Sequence, residues 1–332
     1  MTEVAQREFL SAAGWGDAQA TPLAGDASDR RYLRLKRGDG ARAVLMIAPP
    51  SPDDSTARFV AVAKALADRG IRVPAILASR PDEGLALLED LGDAVFARVI
   101  DADSSMEPVL YDAAVDLLAM LHRHPAPPDL SAPDTATLAV MTAPAADWYA
   151  GGGTPQPALA RTISGALAPL LAGLADGVPV LVHRDYHAEN LIWLPDAEGA
   201  GHVGVLDFQD AFAGHPAYDL VSLLEDARRD LAPGLRDRLV DRFADETDTD
   251  RAALDRSLAV LGAQRNLRIL GVFVRLARAH GKPRYLSLLP RVWGHLMGDL
   301  AHPDLGALRR IVTDALPPPD TALQMDITAH AR

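Results

Sequence analysis

The feature that most constrains this chain is a polar segment, HRDYHAEN at residues 183–190, which directly follows an apolar stretch. The preceding VPVLV at residues 178–182 is typical of a buried strand that ends in a loop. Asn190 and Asn266 are the only asparagines in the 332 residues. An Asp and an Asn placed five residues apart after such a strand, as Asp185 and Asn190 are, therefore form an unusual arrangement in this composition.

The segment matches the catalytic loop H-R-D-x-x-x-x-N of protein kinases at every specified position. In that loop the Asp accepts the proton of the attacking hydroxyl, and the Asn holds a Mg²⁺ ion that bridges the phosphates. We therefore expect Asp185 to be the base and Asn190 a metal ligand. The alternative is a β-turn whose Asp and Asn cap backbone groups.

A second carboxylate follows two further short β segments, at the end of the apolar stretch HVGVLDF at residues 202–208. Mg²⁺ takes octahedral oxygen ligands that protein and phosphate share, so a kinase needs an acid at this point in the order. Asp207 is the candidate second metal ligand. The alternative role of such a residue is to cap the next turn.

The pattern of elements changes along the chain. TPLAGDASDRRYLRLKRG at residues 21–38 predicts two strands around a turn, and ARAVLMIA at 41–48 predicts a third. ARFVAVAKALADRG at 57–70 has helical spacing, with Asp53 or Ser55 as N-cap and Gly70 at its end. From about residue 106 the pattern is mostly helical.

Together with the loop, this order predicts an α+β, bilobal, protein-kinase-like fold with a small β-rich N-lobe and a larger, mostly helical C-lobe. We expect a nucleotide-binding lobe over residues 1–90, a catalytic and acceptor-binding lobe over 91–316, and a tail over 317–332.

The composition argues against some classes of partner and indicates the cellular compartment. Lys and Arg number 33 against 45 Asp and Glu, a net charge of −12 that repels nucleic acid, and there is no cysteine. The N-terminal MTEVAQREFLSAAGW is acidic where a signal peptide is basic, and no apolar run has transmembrane length. We expect a cytoplasmic protein that binds small molecules, with no nucleic-acid, membrane or obligate protein partner.

HRDYHAEN, followed by LDFQDAFAGHPAYDL at residues 206–220, resembles the aminoglycoside phosphotransferase and choline kinase superfamily. The LLAMLH segment at 117–122 also resembles a family helix. The resemblance implies transfer of the γ-phosphate of ATP to a hydroxyl, with Asp185 as base and Asn190 and Asp207 as Mg²⁺ ligands. It implies that Asp219 is structural.

A narrower resemblance is to the bacterial anomeric kinases of N-acetylmuramate and N-acetylglucosamine, which act in cell-wall sugar recycling. It rests on GDASDRRYLRL at residues 25–35, LLEDLGD at 87–93, and the segment from AQRNLRIL to RVWGHL at 263–296. It implies phosphorylation of the C1 hydroxyl. The alternatives are a kinase for another alcohol, such as an aminoglycoside, choline or homoserine, and a nucleotide-binding pseudokinase.

The sequence departs from the kinase pattern on the third predicted strand, where Met46 stands in place of the phosphate-binding Lys of V-A-I-K. Cationic side chains after the GDAS turn could replace it, because an Arg fork pairs phosphate oxygens. The nucleotide-binding candidates there are Ser28, Arg30 and Arg31, with Lys36 as a further cation. The alternative is that these side chains solvate a strand face.

Glu89 and Leu91 are the predicted hinge contacts, where backbone groups can pair with the adenine edge. For the acceptor, the candidates are His187, Asp210 and Trp148. Four arginines on one side of a helix, Arg265, Arg268, Arg275 and Arg278, could offer charge to the lactyl carboxylate of N-acetylmuramate, although we expect them to form a solvated face.

Overall fold

A computed structural model describes residues 3–23, 30–48, 55–197 and 199–320, except for the side chains of Ser55 and Ala200. The chain divides into two compact units. The first unit comprises residues 1–117 and 188–211, and the second comprises 118–187 and 212–332. Because residues 188–211 belong to the first unit, this division differs from a single cut after residue 90. The functional lobe limits stay a prediction.

The described helices and strands follow one another in this order. Up to the middle of the chain they are α1 (Glu3–Ala12), β1 (Gln19–Leu23), β2 (Arg31–Lys36), β3 (Arg42–Ile47), α2 (Ser55–Ala67), β4 (Ile76–Arg80), β5 (Leu85–Glu89), α3 (Phe96–Ala102) and α4 (Glu107–Leu121). They continue with α5 (Thr135–Val140), α6 (Pro157–Ala172), β6 (Val180–Val182), β7 (Leu191–Trp193), β8 (Val203–Val205), β9 (Phe212–Gly214), α7 (Ala217–Leu224), α8 (Leu235–Thr247), α9 (Arg251–His280), α10 (Leu289–Asp299) and α11 (Gly306–Ala315).

The first unit is built on a five-stranded antiparallel sheet with the order β1-β2-β3-β5-β4. Side chains alternate between its two faces, as the period-two pattern requires. One face packs its apolar residues against Phe9 of α1 and Trp15. The strand residues of this core are Leu35, Ala43, Leu45, Ile47, Leu85 and Leu87. The predicted strands are thus confirmed, while the turn at residues 25–28 lies outside the described residues.

The opposite face of the sheet carries Tyr32 across from Met46, and Met46 across from Ala86. Helix α2 follows β3 and buries the predicted apolar stripe of Phe59, Val62, Ala63 and Leu66. The helix begins at Ser55, whereas Asp53, the other predicted cap, lies outside the described residues.

A short β7–β8 hairpin completes the first unit, with Leu191 paired to Val205. It joins the rest of the unit through backbone hydrogen bonds. Val205 donates to the carbonyl of Arg72 at 2.8 Å, and Trp193 donates to that of Ala94 at 2.8 Å. The hairpin therefore fixes the chain two residues before Asp207.

The second unit is mostly helical and is organised around α9, which packs against α7 and α10. Gly271 lets α9 approach the π-helix Ala145–Ala150, because a Cβ at this position would lie 2.0 Å from the carbonyl carbon of Pro144. The small β6–β9 pair, with Val182 opposite Phe212, completes the unit.

Two apolar residues at the ends of elements are exposed. Val109 in the first turn of α4 is 49% exposed, and Val178, which precedes β6, is 70% exposed. Both stand at the end of an element, where a pattern of apolar residues continues past the packed part. The expectation that Val178 belongs to a buried strand is therefore wrong, because β6 begins at Val180.

Candidate active site

The segment at residues 183–190, called here the HRD loop, connects β6 to β7. Residues 183–187 belong to the second unit and 188–190 to the first. Asp219 of α7, which is fully buried, holds the start of the loop: its carboxylate accepts the backbone N–H of His183 at 2.6 Å and that of Arg184 at 2.8 Å. Ser222 donates to the Arg184 carbonyl at 3.3 Å. Helix α7 thereby fixes the backbone immediately before Asp185.

Burial raises the pKa of Asp219 to about 6, although His183 and the two amides act in the opposite direction. At neutral pH the carboxylate is therefore ionised, and its hydrogen bonds to the loop are charge-assisted. Arg184 has a φ of +82°. This left-handed backbone is strained for a non-glycine residue, and such strain tends to occur at functional sites.

Asp185 is partly buried and is surrounded by cationic side chains of the second unit. Burial alone would raise the pKa of Asp185, but His187, Arg184, Arg265 and Arg268 lower it below its ordinary value. His187 contributes only when it is protonated, so at neutral pH the arginines supply this effect. The carboxylate is thus held ionised, as a group that accepts a proton must be.

His187 is 7% exposed, and its Nδ1 has no hydrogen-bond partner among the described residues. Burial lowers its pKa to about 4, with Arg228 and Arg265 acting in the same direction against Asp226 and Asp185. The imidazole is therefore neutral at physiological pH. A neutral, buried ring nitrogen beside the base is chemically able to hydrogen-bond a hydroxyl of an acceptor.

In the first unit, the β7–β8 hairpin brings the two predicted metal ligands together. The backbone N–H of Leu206 donates to the carbonyl of Asn190 at 2.9 Å, which sets Asn190 beside the residue preceding Asp207. Asp207 is exposed and has a φ of +58°, and its Oδ1 accepts a hydrogen bond from Gln209 at 2.9 Å.

One amide and one carboxylate fit Mg²⁺, because this ion commonly uses one or two protein oxygen ligands and takes the remainder from phosphates and water. The described residues contain no group of three or more His, Cys, Asp or Glu side chains arranged to hold a metal on their own. The donor set at Asn190 and Asp207 is thus suited to a metal that arrives with a nucleotide.

Phe208, the residue after Asp207, anchors this part of the chain to α2. The ring of Phe208 stacks on that of Phe59, with 4.7 Å between centroids. Helix α2 contains no acidic residue, so the carboxylate that pairs with the strand Lys in kinases is missing together with that Lys. Met46, in the place of the Lys, is fully buried. Neither member of that ion pair is therefore present on β3 or α2.

Of the cationic candidates near β2, Arg30 shares a neighbour, Tyr32, with Asp207. Both act on Tyr32, whose pKa is raised to about 12, mainly by burial and secondarily by Asp207, while Arg30 opposes the shift and hydrogen-bonds the ring hydroxyl. Arg31 is paired in register with Ile47, a residue of the core on the other face of the sheet. Lys36 is exposed at the far end of β2, and Ser28 lies outside the described residues.

The two predicted hinge residues, Glu89 and Leu91, differ in the contacts that they make. Glu89 forms a two-pronged ion pair with Arg72 at 2.5 and 2.7 Å, and it also accepts the N–H of Ala75. Arg72 accordingly lowers the pKa of Glu89, with burial acting in the opposite direction. The amide of Leu91 donates no hydrogen bond within the described part of the chain, while the Leu91 side chain packs close to Gly204.

The remaining acceptor candidates belong to different units. Asp210 is exposed in the first unit, with a 3.9 Å ion pair to Arg58 of α2. Trp148 lies in the π-helix of the second unit and packs beside Gly153.

The four α9 arginines named from the sequence do not form one solvated face, contrary to the expectation. Arg275 is exposed, but Arg278 donates to the Gly152 carbonyl at 2.6 Å, and Arg265 is only 5% exposed. Sequence reasoning also missed Tyr32. The alternation of a strand, which puts residues 30 and 32 on one face, was the signal that could have linked Tyr32 to Arg30.

Comparison with solved structures defines the fold class. The choline kinase LicA from Streptococcus pneumoniae superposes with a TM-score of 0.60 at 11% identity, covering 94% of this chain and 98% of that one. The ADP-bound aminoglycoside phosphotransferase APH(2'')-Ib gives 0.59 at 14% identity, covering 88% and 99%. The antiparallel sheet and the mostly helical second unit are thus an α+β fold of the protein-kinase-like class.

The profile described as "Phosphotransferase enzyme family" matches residues 19–255. An N-acetylmuramate/N-acetylglucosamine kinase of Caulobacter vibrioides is 41% identical over 350 residues, covering 92% of this chain and 94% of the relative. A protein of the same description from Pseudomonas putida is 32% identical, covering 90% of each chain. The chain belongs to this phosphotransferase family and is a kinase.

Proposed function

We propose that this kinase transfers the γ-phosphate of ATP to the anomeric C1 hydroxyl of N-acetylmuramate and N-acetylglucosamine, in the cytoplasm, as a step of cell-wall sugar recycling. Two relatives that cover nine-tenths or more of the chain are described as kinases of these two sugars. The observation that carries the proposal is an ionised Asp185 among arginines, on a loop whose backbone Asp219 holds.

In this proposal Asp185 orients the sugar hydroxyl and accepts its proton as the oxygen attacks the γ-phosphorus. The carboxylate needs no activation, since its arginine neighbours already keep it ionised. His187, neutral and with an Nδ1 that is unpaired among the described residues, would hydrogen-bond the same sugar. Binding and proton transfer are thus assigned to the second unit.

The nucleotide side is assigned to the first unit. Asn190 and Asp207 would hold Mg²⁺, which when bound supplies charge neutralisation for the transferring phosphoryl group. Arg30 and Tyr32 stand on the sheet face that carries Met46, so we assign them to the phosphates in place of the missing strand Lys. We leave Arg31 out of this assignment because it is in register with a core residue of the other face. The backbone of Glu89 and Leu91 stays the proposed adenine contact.

The charges around Asp185 distinguish the proposed activity from that of kinases for cationic acceptors. An aminoglycoside needs a cluster of acids, and choline needs an aromatic cage. Around Asp185 the neighbours are instead guanidinium groups, those of Arg184, Arg265 and Arg268. Such a site suits a neutral or anionic sugar.

The test is Mg²⁺-dependent ADP release with N-acetylmuramate, N-acetylglucosamine, choline and kanamycin in parallel, with the product identified by phosphorus NMR. A sugar 1-phosphate supports the proposal. Turnover of choline or kanamycin alone would keep the chemistry and reject the substrate. Nucleotide binding without turnover of any acceptor would point to a pseudokinase.

A further inference from the structure

Helix α9 places two arginines beside the base of the second unit. Arg265 and Arg268, three residues apart and hence on neighbouring positions of the helix surface, both lie close enough to Asp185 for their charges to act on it. Arg265 is 5% exposed, and Arg268 is partly buried. Arg275, further along the same helix, is exposed.

A buried guanidinium group is costly unless its N–H groups are paired. In Arg265 the buried Nη1 has no hydrogen-bond partner among the described residues. Its neighbour His187 is in the same condition, with a buried Nδ1 that is unpaired there. Two unpaired polar atoms, each on a side chain more than nine-tenths buried, therefore stand near the base. Such groups call for a polar ligand.

The surrounding charges show which kind of ligand fits. Besides Arg265 and Arg268, the groups that act on Asp185 or His187 include Arg184 and Arg228. Asp226 is the one further carboxylate among them, and it faces Arg228 at 3.7 Å. The carboxylate of Asp219 is occupied by two loop amides. Positive charge therefore exceeds negative charge among these groups, which favours a ligand that carries an anionic group.

We propose that Arg265 and Arg268 form a carboxylate subsite that binds the lactyl group of N-acetylmuramate and makes this pair the determinant of preference between the two sugars. The inference rests on the proposed function. N-acetylglucosamine has the same ring, acetamido group and C1 hydroxyl but no carboxylate. An Arg fork matches carboxylate geometry through two parallel N–H···O bonds, which a neutral sugar substituent cannot replace.

The competing role for the same arginines is to stabilise the transferring phosphoryl group. That role acts on every acceptor equally, whereas a lactyl subsite acts on one. The two roles are distinguished by the ratio of kcat/KM between sugars and not by the absolute loss, because Arg265 also influences Asp185.

The experiment measures kcat/KM for N-acetylmuramate, its methyl ester and N-acetylglucosamine with the full-length wild type and the variants Arg265→Gln, Arg268→Gln and Arg275→Gln. For Arg265→Gln and Arg268→Gln we expect the loss to be greater with N-acetylmuramate than with N-acetylglucosamine by a factor on the order of 10 to 100. The exposed Arg275 on the same helix is the matched control, and its variant should leave the ratio unchanged.

Equal losses of kcat/KM on both sugars, which leave the ratio between them unchanged, would overturn the lactyl subsite. If Arg265→Gln fails to fold, Arg268→Gln and the ester still decide, because the wild type must prefer the acid to its methyl ester by about tenfold or more. A wild type that uses acid and ester equally refutes the inference alone. A wild type that phosphorylates none of the three sugars refutes the proposed function, and this inference with it.

Discussion

Asp219 accepts the backbone N–H of His183 at 2.6 Å, so a buried carboxylate of α7 holds the first residue of the HRD loop in place. The same carboxylate holds the next residue, Arg184, at 2.8 Å. The position of Asp185 therefore depends on a fully buried group of a neighbouring helix. Two consequences of this arrangement are measurable.

The first consequence concerns Asp219→Asn. The amide retains one acceptor oxygen but turns an NH₂ group towards a backbone donor, which leaves that donor unpaired. We expect a loss of about 2–4 kcal/mol in the free energy of unfolding and a fall in kcat with little change in nucleotide affinity. Urea denaturation and nucleotide titration measure the two effects. An unchanged kcat in the folded variant would contradict the positioning role.

The second consequence concerns acid pH. The folded-state pKa of Asp219 is raised to about 6, so this group takes up a proton in the native state before it does so in the unfolded chain. As pH falls from 6 to 4, its contribution to stability increases, while the protonated carboxyl holds the loop amides less strongly. We expect kcat to fall below pH of about 6 without a parallel loss of stability from this group. If kcat of Asp219→Asn falls at acid pH in the same way as that of the wild type, the fall does not come from Asp219.

A buried acidic pair in the second unit gives a stability prediction. Asn266 donates to Glu225 at 2.8 Å and to Asp299 at 2.9 Å. Burial, and then Glu225, raise the pKa of Asp299 well above its ordinary value. Its stabilising contribution is therefore complete below the unfolded-state pKa and is lost as pH rises through the folded-state pKa.

Asp299→Asn removes this titration. Within that pH range we expect wild-type stability to decline relative to the variant by up to about 1.4 kcal/mol per pH unit. Urea midpoints between pH 5 and 8 measure the difference. Asp314→Asn makes the same charge change on the exposed side of α11 and should follow the wild type. Parallel curves for wild type and Asp299→Asn would reject the raised pKa.

Substitutions at Arg30 and Arg31 test which cation takes the place of the strand Lys. Arg30→Gln should raise the KM for ATP by roughly tenfold, the effect expected from one charge-assisted hydrogen bond. Arg31→Gln changes the neighbouring cation, which is paired with a core residue of the other sheet face, and should alter the KM less than about twofold. Initial rates at varied ATP measure both. The reverse order of effects would assign the phosphates to Arg31.

The sequence predicted those parts of the site that one segment contains. The spacing of Asp185 and Asn190 is local, and so is the placement of Asp207 at a strand end. Strands β1, β2 and β3 were likewise predicted from their own segments, because the residue types and turn signals that favour a strand are local.

What the sequence did not predict depends on contacts distant along the chain. A helical wheel grouped Arg265 with Arg275, yet only the packing of α9 decides that the first is buried near Asp185 and the second is exposed. Glu89 was expected at the hinge for its backbone, and its carboxylate pairs with Arg72, seventeen residues earlier. No pattern within either segment contains this information.

The most direct test of the account is the turnover of Asp185→Asn with ATP, Mg²⁺ and N-acetylmuramate, measured beside nucleotide affinity in the same preparation. The account predicts a fall in kcat of about 10²- to 10⁴-fold, with nucleotide affinity retained because Asn190, Asp207 and Arg30 are intact. Turnover near the wild-type rate would contradict the assignment of Asp185 as the base.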